Sequence, residues 1–222
     1  MASELDHVFI CTATGAPAAD QLIQFGLTEG PSNVHPGQGT ANRRFFFQNA
    51  YLELLWVYAP AEAQAETVRS TCLWDRWAGR ESRTCPFGLC FRPTEVDSKP
   101  PFATWDYRPQ YLPPPLSIGI AKNVEEVAEP FLCHLTFAQR RDSLPASELP
   151  PCNHAAGMRQ ITEIELVTPH KSSHSPELQA VIDLGLATVR TGAEHLMEIG
   201  FDGESQRQRA DFRPGLPLIF RW

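Results

Sequence analysis

Residues 50–58, AYLELLWVY, place a carboxylate in the middle of an apolar run. Leu52, Leu54 and Trp56 alternate with Tyr51, Glu53 and Leu55, which is the period of a β-strand. An unpaired buried carboxylate costs several kcal/mol, so such a group is paired, protonated or bound to a metal. His7, in LDHVFIC (residues 5–11), is the second candidate. Alternation puts His7, Phe9 and Cys11 on one face of that strand and Val8 and Ile10 on the other. An imidazole and a carboxylate on inward strand faces are good donors for a divalent metal. The competing assignments are a hydrogen-bonded structural histidine for His7 and a cross-strand salt bridge to Arg43 or Arg44 for Glu53.

Other residues could contribute. In EPFLCHLTF, His134 competes with Cys133, because strand register decides which of the two faces inward. Glu163 and Glu165 flank Ile164 in ITEIELV; they are either a solvated face or donors, and Glu163 is a candidate base. The loop HPGQGTANRR has two glycines that permit a tight turn or close approach of a ligand. In it, Asn42 and Arg43 can hold a substrate carboxylate or carbonyl, or Asn42 can tie the loop to the sheet.

Several chemistries are excluded. There is no G-x-S-x-G elbow, and Cys133 and His134, adjacent in a strand, point to opposite faces and cannot form a dyad. No GK[ST] follows the glycine loop. The cysteines 11, 72, 85, 90, 133 and 152 include no CxxC pair, and His154 and His170 belong to no HxH or HExxH spacing. Cys11, Cys90 and Cys133 lie in apolar runs, where a thiol behaves as a small hydrophobe. A net charge of −7, with Arg207, Arg209 and Arg213 interrupted by acidic neighbours, argues against a nucleic-acid partner. MASELDHVFI lacks a basic n-region, and no apolar run approaches the roughly 18 residues that span a bilayer, so a cytoplasmic chain without a membrane partner is expected.

The elements that must position these residues can be read from pattern. A strand at 5–11 precedes a helix in APAADQLIQFGL, capped near Thr14, with Pro17 in its first turn and Gly26 at its end. The Gly/Pro-rich loop TEGPSNVHPGQGT leads to the strands ANRRFFFQN and AYLELLWVY. Residues 1–59 form one unit, and 60–84 read as a linker helix with Val68, Leu73, Trp74 and Trp77 on its apolar face. Residues 85–137 form a helix-poor second unit of the strands CPFGLCFRP, FATWDYRPQYL, LSIGIAKN and EPFLCHLTF, with LPPPL breaking the pairing. A polar loop covers 138–159. Residues 160–222 form a third unit, with strands in ITEIELV, EHLMEIGFDG and LPLIFRW and a helix capped by Ser175, opened by Pro176 and stopped by Gly185. The whole packs as one globular domain.

LDHVFI (5–10), HPGQGTANRRFF (35–46) and YLELLWV (51–57) resemble the glyoxalase-like group of the vicinal oxygen chelate superfamily, which also holds bleomycin-resistance proteins and dioxygenases. There LDHV opens the chain and HPGxGTANRxF precedes YLEL. EPFLCHLTF and NHAAGMRQITEIELVTP match more loosely. The resemblance implies an α+β fold in which tandem βαβββ modules form curved, mostly antiparallel sheets around a cavity. It places metal ligands on the first and last strands of each module: His7 and Glu53, with His134 as a third. The fourth stays open between Gly88 or Cys90 and Glu163 or Glu165. The implied function is a small-molecule lyase or dioxygenase in which a divalent ion (Zn²⁺, Mn²⁺, Fe²⁺ or Ni²⁺) chelates and activates substrate oxygens. Glu53 and Glu163 are its candidate catalytic groups, Asn42 and Arg43 orient an anionic group, and Phe9 and Tyr51 wall the cavity. The four-ligand pattern of lactoylglutathione lyase is not matched. The alternatives are a metal-free binding or sequestering protein of the same fold and an interaction protein with a filled cavity. In this superfamily, modules pair within one chain or across a homodimer.

Overall fold

The alternation of LDHVFIC is realised as β1 (Ser3–Cys11), the centre of the larger of two sheets. The computed structural model describes residues 2–81, 84–95, 98–143, 145, 149–169 and 173–222; His170 lies outside them. After β1 come α1 (Ala19–Phe25), β2 (Asn33–His35), β3 (Thr40–Phe46) and β4 (Tyr51–Val57). Gly26, at φ 112°, ends α1 with its amide on the Ile23 and Leu22 carbonyls.

Residues 60–84 are not one helix but the short pieces α2 (Pro60–Ala63), α3 (Glu66–Arg69) and α4 (Leu73–Gly79). Cys72, left-handed at φ 52°, breaks the path before α4. Tertiary bonds override the local helix propensity here. Arg76 donates Nη1 to the carbonyls of Cys85, Val127 and Glu129, and the Trp77 indole donates to Thr12 O at 2.8 Å.

β5 (Phe87–Pro93), β6 (Thr104–Tyr107), β7 (Ile118–Ala121) and β8 (Phe131–His134) repeat the path of the first four strands without a helix. The sheet order is β2-β3-β4-β1-β5-β8-β7-β6. It folds back on itself about the antiparallel β1–β5 pair, with β1–β4 and β5–β8 both parallel. The two modules therefore pair within one chain, and their sheet curls as a half-barrel.

The second sheet contains β9 (Ile161–Thr168), β10 (Thr188–Thr191), β11 (Leu196–Phe201), β12 (Arg209–Asp211) and β13 (Leu218–Arg221) in the order β10-β9-β11-β13-β12. β10 and β12 carry no clear apolar alternation, so pattern alone does not mark them. Helix α5 (Pro176–Asp183) follows β9; Ser175 accepts from Leu178 N, and Pro176 opens the first turn.

The convex face of the large sheet carries Val8, Ile10, Leu52, Leu54, Leu89 and Leu132. They share one core with α1, α5 and the inner face of the second sheet, including Ile164, Met197, Ile199 and Phe220. Full burial of such side chains contributes about 1.5–3 kcal/mol each. Asn49 fastens the two sheets, donating to Ile161 O and accepting from Ile161 N. The concave face is left with a separate, smaller cluster around Phe9, Cys90, Ile120, Phe131 and Cys133. Among the described residues no helix is long and apolar enough to cross a membrane.

Three histidines are held neutral by this packing. Burial pushes His35, His134 and His154 below their ordinary 6.5. His154 accepts from Thr28 N and donates to Phe46 O, which uses the neutral ring fully. The unfolded chain takes up protons at a pH where these folded groups do not. Their contribution is therefore complete above about pH 6.5 and is lost as pH falls below it. Thermal melts should show a lower midpoint at about pH 5.5 than at about pH 7.5, with the difference reduced in His154→Gln.

Candidate active site

The large sheet brings the inward residues together in two rows. One runs Tyr51, His7, Cys90, Cys133, Ile120 across β4, β1, β5, β8 and β7. The next runs Arg44, Glu53, Phe9, Gly88, Phe131 across β3, β4, β1, β5 and β8. All of these but Gly88 line a cavity of about 230 Å³, together with Leu73, Tyr107, Tyr111 and Phe137.

Glu53 and His7 face each other there. Glu53 Oε2 lies 3.6 Å from His7 Nε2, and both side chains are buried. Asn42 Nδ2 donates to Glu53 Oε1 at 2.8 Å, while its own oxygen accepts from Asn33 N. Asn42 thus both ties β2 to the sheet and fixes the carboxylate, leaving Oε2 free to face the cavity. Neither arginine offered for Glu53 pairs with it. Arg44 is its register partner, yet the guanidinium runs to Pro31 O and over the Phe46 and Tyr51 rings.

The other nitrogen of His7 is held as well. His7 Nδ1–H donates to Asp6 Oδ1 at 2.7 Å, and the ring stacks on Tyr51 with centroids 4.4 Å apart. Neighbouring residues of a regular strand point to opposite faces, so this contact needs a departure from regularity. It is the bulge in β1, where the register against β5 shifts between Leu5 and His7. Arg92, almost fully buried, binds Asp6 at 3.0 Å, Glu4 at 3.0 Å and Asn49 O at 2.6 Å. Burial raises the Asp6 carboxyl, but the hydrogen bond from His7 and the Arg92 guanidinium outweigh it and hold it below 3.8. The charged carboxylate keeps the proton of His7 on Nδ1 and presents Nε2 to the cavity.

Other predicted residues lie elsewhere. His134 is turned to the convex side, because alternation groups it with Leu132; its Nε2 lies 3.3 Å from Ser3 Oγ. The cavity position of β8 belongs to Cys133, whose Sγ is 2.7 Å from Cys90 Sγ. Burial pushes the Cys90 thiol well up, with Cys133 and Glu53 adding to it, so it stays protonated. Glu163 belongs to the second sheet, half exposed and 3.4 Å from Arg221, and does not reach the cavity; Glu165 pairs with Arg190 and Arg221. Arg43 also points away, bound to Glu29, Asp20 and Ala16 O; its neighbour Arg44 lines the cavity instead. Phe9 and Tyr51 do line it. Sequence reasoning missed Asp6 and Arg92, and their only signal was an Asp adjacent to His7.

The donor set fits half of a metal centre. Tetrahedral ligation with bonds of about 2.1 Å sets two donors about 3.4 Å apart, and His7 Nε2 and Glu53 Oε2 stand at 3.6 Å. The second module supplies no matching pair: Gly88 lies under the Phe9 ring, whose Cε1 would be 2.0 Å from an added Cβ. Among the described residues no group of three His, Cys, Asp or Glu side chains is arranged to hold a metal ion.

Residues 5–99 match the model of a glyoxalase-like domain family. No curated protein matches the chain. A hypothetical protein from Staphylococcus aureus has the same fold: 11% identity over 100% of this chain and 98% of that one, with a TM-score of 0.54. Weaker likenesses are to Streptomyces coelicolor methylmalonyl-CoA epimerase in complex with 2-nitronate-propionyl-CoA (13% identity, 63% of this chain and 98% of that one, TM-score 0.40) and to a xylose isomerase-like TIM barrel/4-hydroxyphenylpyruvate dioxygenase fusion protein (10%, 90% and 36%, TM-score 0.48).

Proposed function

We propose that the chain is a glyoxalase-like enzyme that binds a small substrate in the concave cavity, with His7 and Glu53 as its reacting centre. The observation that carries this reading is the fixed pair itself: His7 Nε2 and Glu53 Oε2, 3.6 Å apart, each held from behind by Asp6 and Asn42. His7 and Glu53 would hold a divalent ion such as Zn²⁺, Mn²⁺, Fe²⁺ or Ni²⁺. When bound, the ion supplies Lewis-acid polarisation of adjacent substrate oxygens, in a reaction of lyase or dioxygenase type.

The chain's own residues do the remaining work. Asp6 keeps His7 in one tautomer and Asn42 keeps Glu53 in one rotamer, so no reorganisation is needed when substrate arrives. Glu53, whose Oε2 faces the cavity, would be the base that takes a proton from substrate and returns it. Phe131 and Ile120 exclude water on the opposite side, and Phe9 does so beside Glu53.

A second reading rests on one observation. The second module contributes Cys90, Cys133 and apolar side chains where further donors would be needed, which suits a metal-free small-molecule binding protein. Metal analysis of the purified chain separates the two. The enzyme reading expects near one equivalent of a transition metal, removed by chelator. Failure to take up metal on reconstitution favours the binding-protein reading.

A further inference from the structure

The walls of the cavity are unlike each other. The first module contributes all of the charged, imidazole and amide side chains, among them His7, Asn42, Arg44 and Glu53, beside Phe9 and Tyr51. The second, with the loops over it, contributes mainly Ile118, Ile120, Phe131, Leu135 and Phe137 beside the two thiols. A ligand that satisfies both walls is amphipathic, with its polar end on β3 and β4 and its apolar end on β7 and β8.

Arg44 sets the charge of the polar end. Its Nε donates to Pro31 O at 2.8 Å and Nη2 reaches Ser32 O at 3.5 Å, both neutral carbonyls. Among the described residues no carboxylate lies within ion-pair distance of it. Arg43, next along the chain, is by contrast fully engaged with Glu29 and Asp20. The Arg44 guanidinium is braced over the Phe46 ring at 5.0 Å and the Tyr51 ring at 5.9 Å, and Tyr51 in turn stacks on His7. A planar cation held on an aromatic shelf, with donors to spare, is suited to paired bonds with a carboxylate. The register places it beside Glu53, so an anion on Arg44 sits next to the reacting pair. At about 230 Å³ the cavity is smaller than the roughly 300–1,000 Å³ of sites that take drug-sized ligands.

We infer that the substrate is a compact monocarboxylate with an aromatic or branched aliphatic body, its carboxylate bound by Arg44 and its body seated on the second module. This rests on the cavity being the ligand site, and not on the ion.

The test uses the full chain in the presence of chelator, so that no ion competes for the anion. Binding of 3-phenylpropanoate and of 3-phenylpropanamide is measured by calorimetry for the wild type, Arg44→Gln and His7→Ala, after melting curves show that each is folded. The expected result is at least tenfold tighter binding of the carboxylate by the wild type. Arg44→Gln should lose that preference and still bind the amide. Equal binding of the two probes by the wild type overturns the proposal and leaves the cavity intact as a ligand site. A preference that survives Arg44→Gln but vanishes in His7→Ala overturns it by moving the anion to the reacting pair. Binding of neither probe overturns it together with the cavity reading on which it rests.

Discussion

Arg92→Met should destabilise the chain by about 3–5 kcal/mol, the usual cost of removing one partner from a buried ion pair. Arg92 is 1% exposed and joins Glu4, Asp6 and the Asn49 carbonyl. Methionine fills much of its volume but leaves Asp6 buried with His7 as its remaining partner. Two further consequences follow from the connections. Asn49 also fastens the second sheet, so the loss spreads beyond one strand. Asp6 loses the guanidinium that helps hold it charged, so the tautomer of His7 is less firmly fixed. Urea denaturation measures the effect. Arg108→Met, which breaks only the exposed pair with Asp106, should leave the midpoint where it is. A loss below about 1 kcal/mol for Arg92→Met would mean that the buried network is dispensable.

Gly39→Ala should cost about 2–4 kcal/mol, summing left-handed strain and overpacking. Gly39 has φ +73°, and a Cβ there would lie 2.4 Å from Ala59 O and 2.7 Å from Ala63 N. Those are backbone atoms of the turn into α2, held by the amides of Tyr58 and Ala59 on Gly39 O. They cannot move without breaking the exit from β4. Gly37, at φ +78°, is the informative comparison, because its Cβ would meet the Gln110 side chain, which can swing aside. Gly37→Ala should therefore lose less than Gly39→Ala in the same denaturation series, and the reverse order would contradict this account of the loop. The two glycines of HPGQGT shape the chain against α2 and Gln110.

How much of this was legible follows from what kind of regularity each feature obeys. Seven of the eight strands of the large sheet fall in segments read as strands, while β2 lies in the Gly/Pro-rich loop and has no apolar pattern; alternation put His7, Phe9, Tyr51 and Glu53 on the cavity face. Asn42 was found from the loop motif; it ties β2 to the sheet, as one of its two readings had it, and its bond to Glu53 was in neither. The failures are failures of parity and of long-range context. Arg43 and Arg44, like Cys133 and His134, are adjacent pairs in which a single step in register exchanges the faces. The Asp6–His7 contact depends on a bulge, which pattern reading treats as regular strand. Arg92, opposite Glu4 on β5, reads as an ordinary exposed cation until the Asn49 turn closes over it. Glu163 was offered because the third unit also begins with a strand, but that unit packs on the convex face, away from the cavity.

The stacking of Tyr51 on His7 and the covering of Gly88 by Phe9 give the site its asymmetry. The first module retains an imidazole and a carboxylate, and the second has a wall of thiols and apolar groups. That division is what makes the ion reading and the metal-free reading distinguishable by variants of single residues.

The most direct measurement is a calorimetric titration of the metal-free chain with Zn²⁺, Mn²⁺, Fe²⁺ and Ni²⁺, repeated on His7→Ala, Glu53→Gln and His134→Gln. The account predicts saturable uptake of one equivalent by the wild type, abolished in His7→Ala and Glu53→Gln and unchanged in His134→Gln, whose ring lies on the far face of β8. No saturable uptake by the wild type, or uptake that depends on His134 and not on His7, would contradict it.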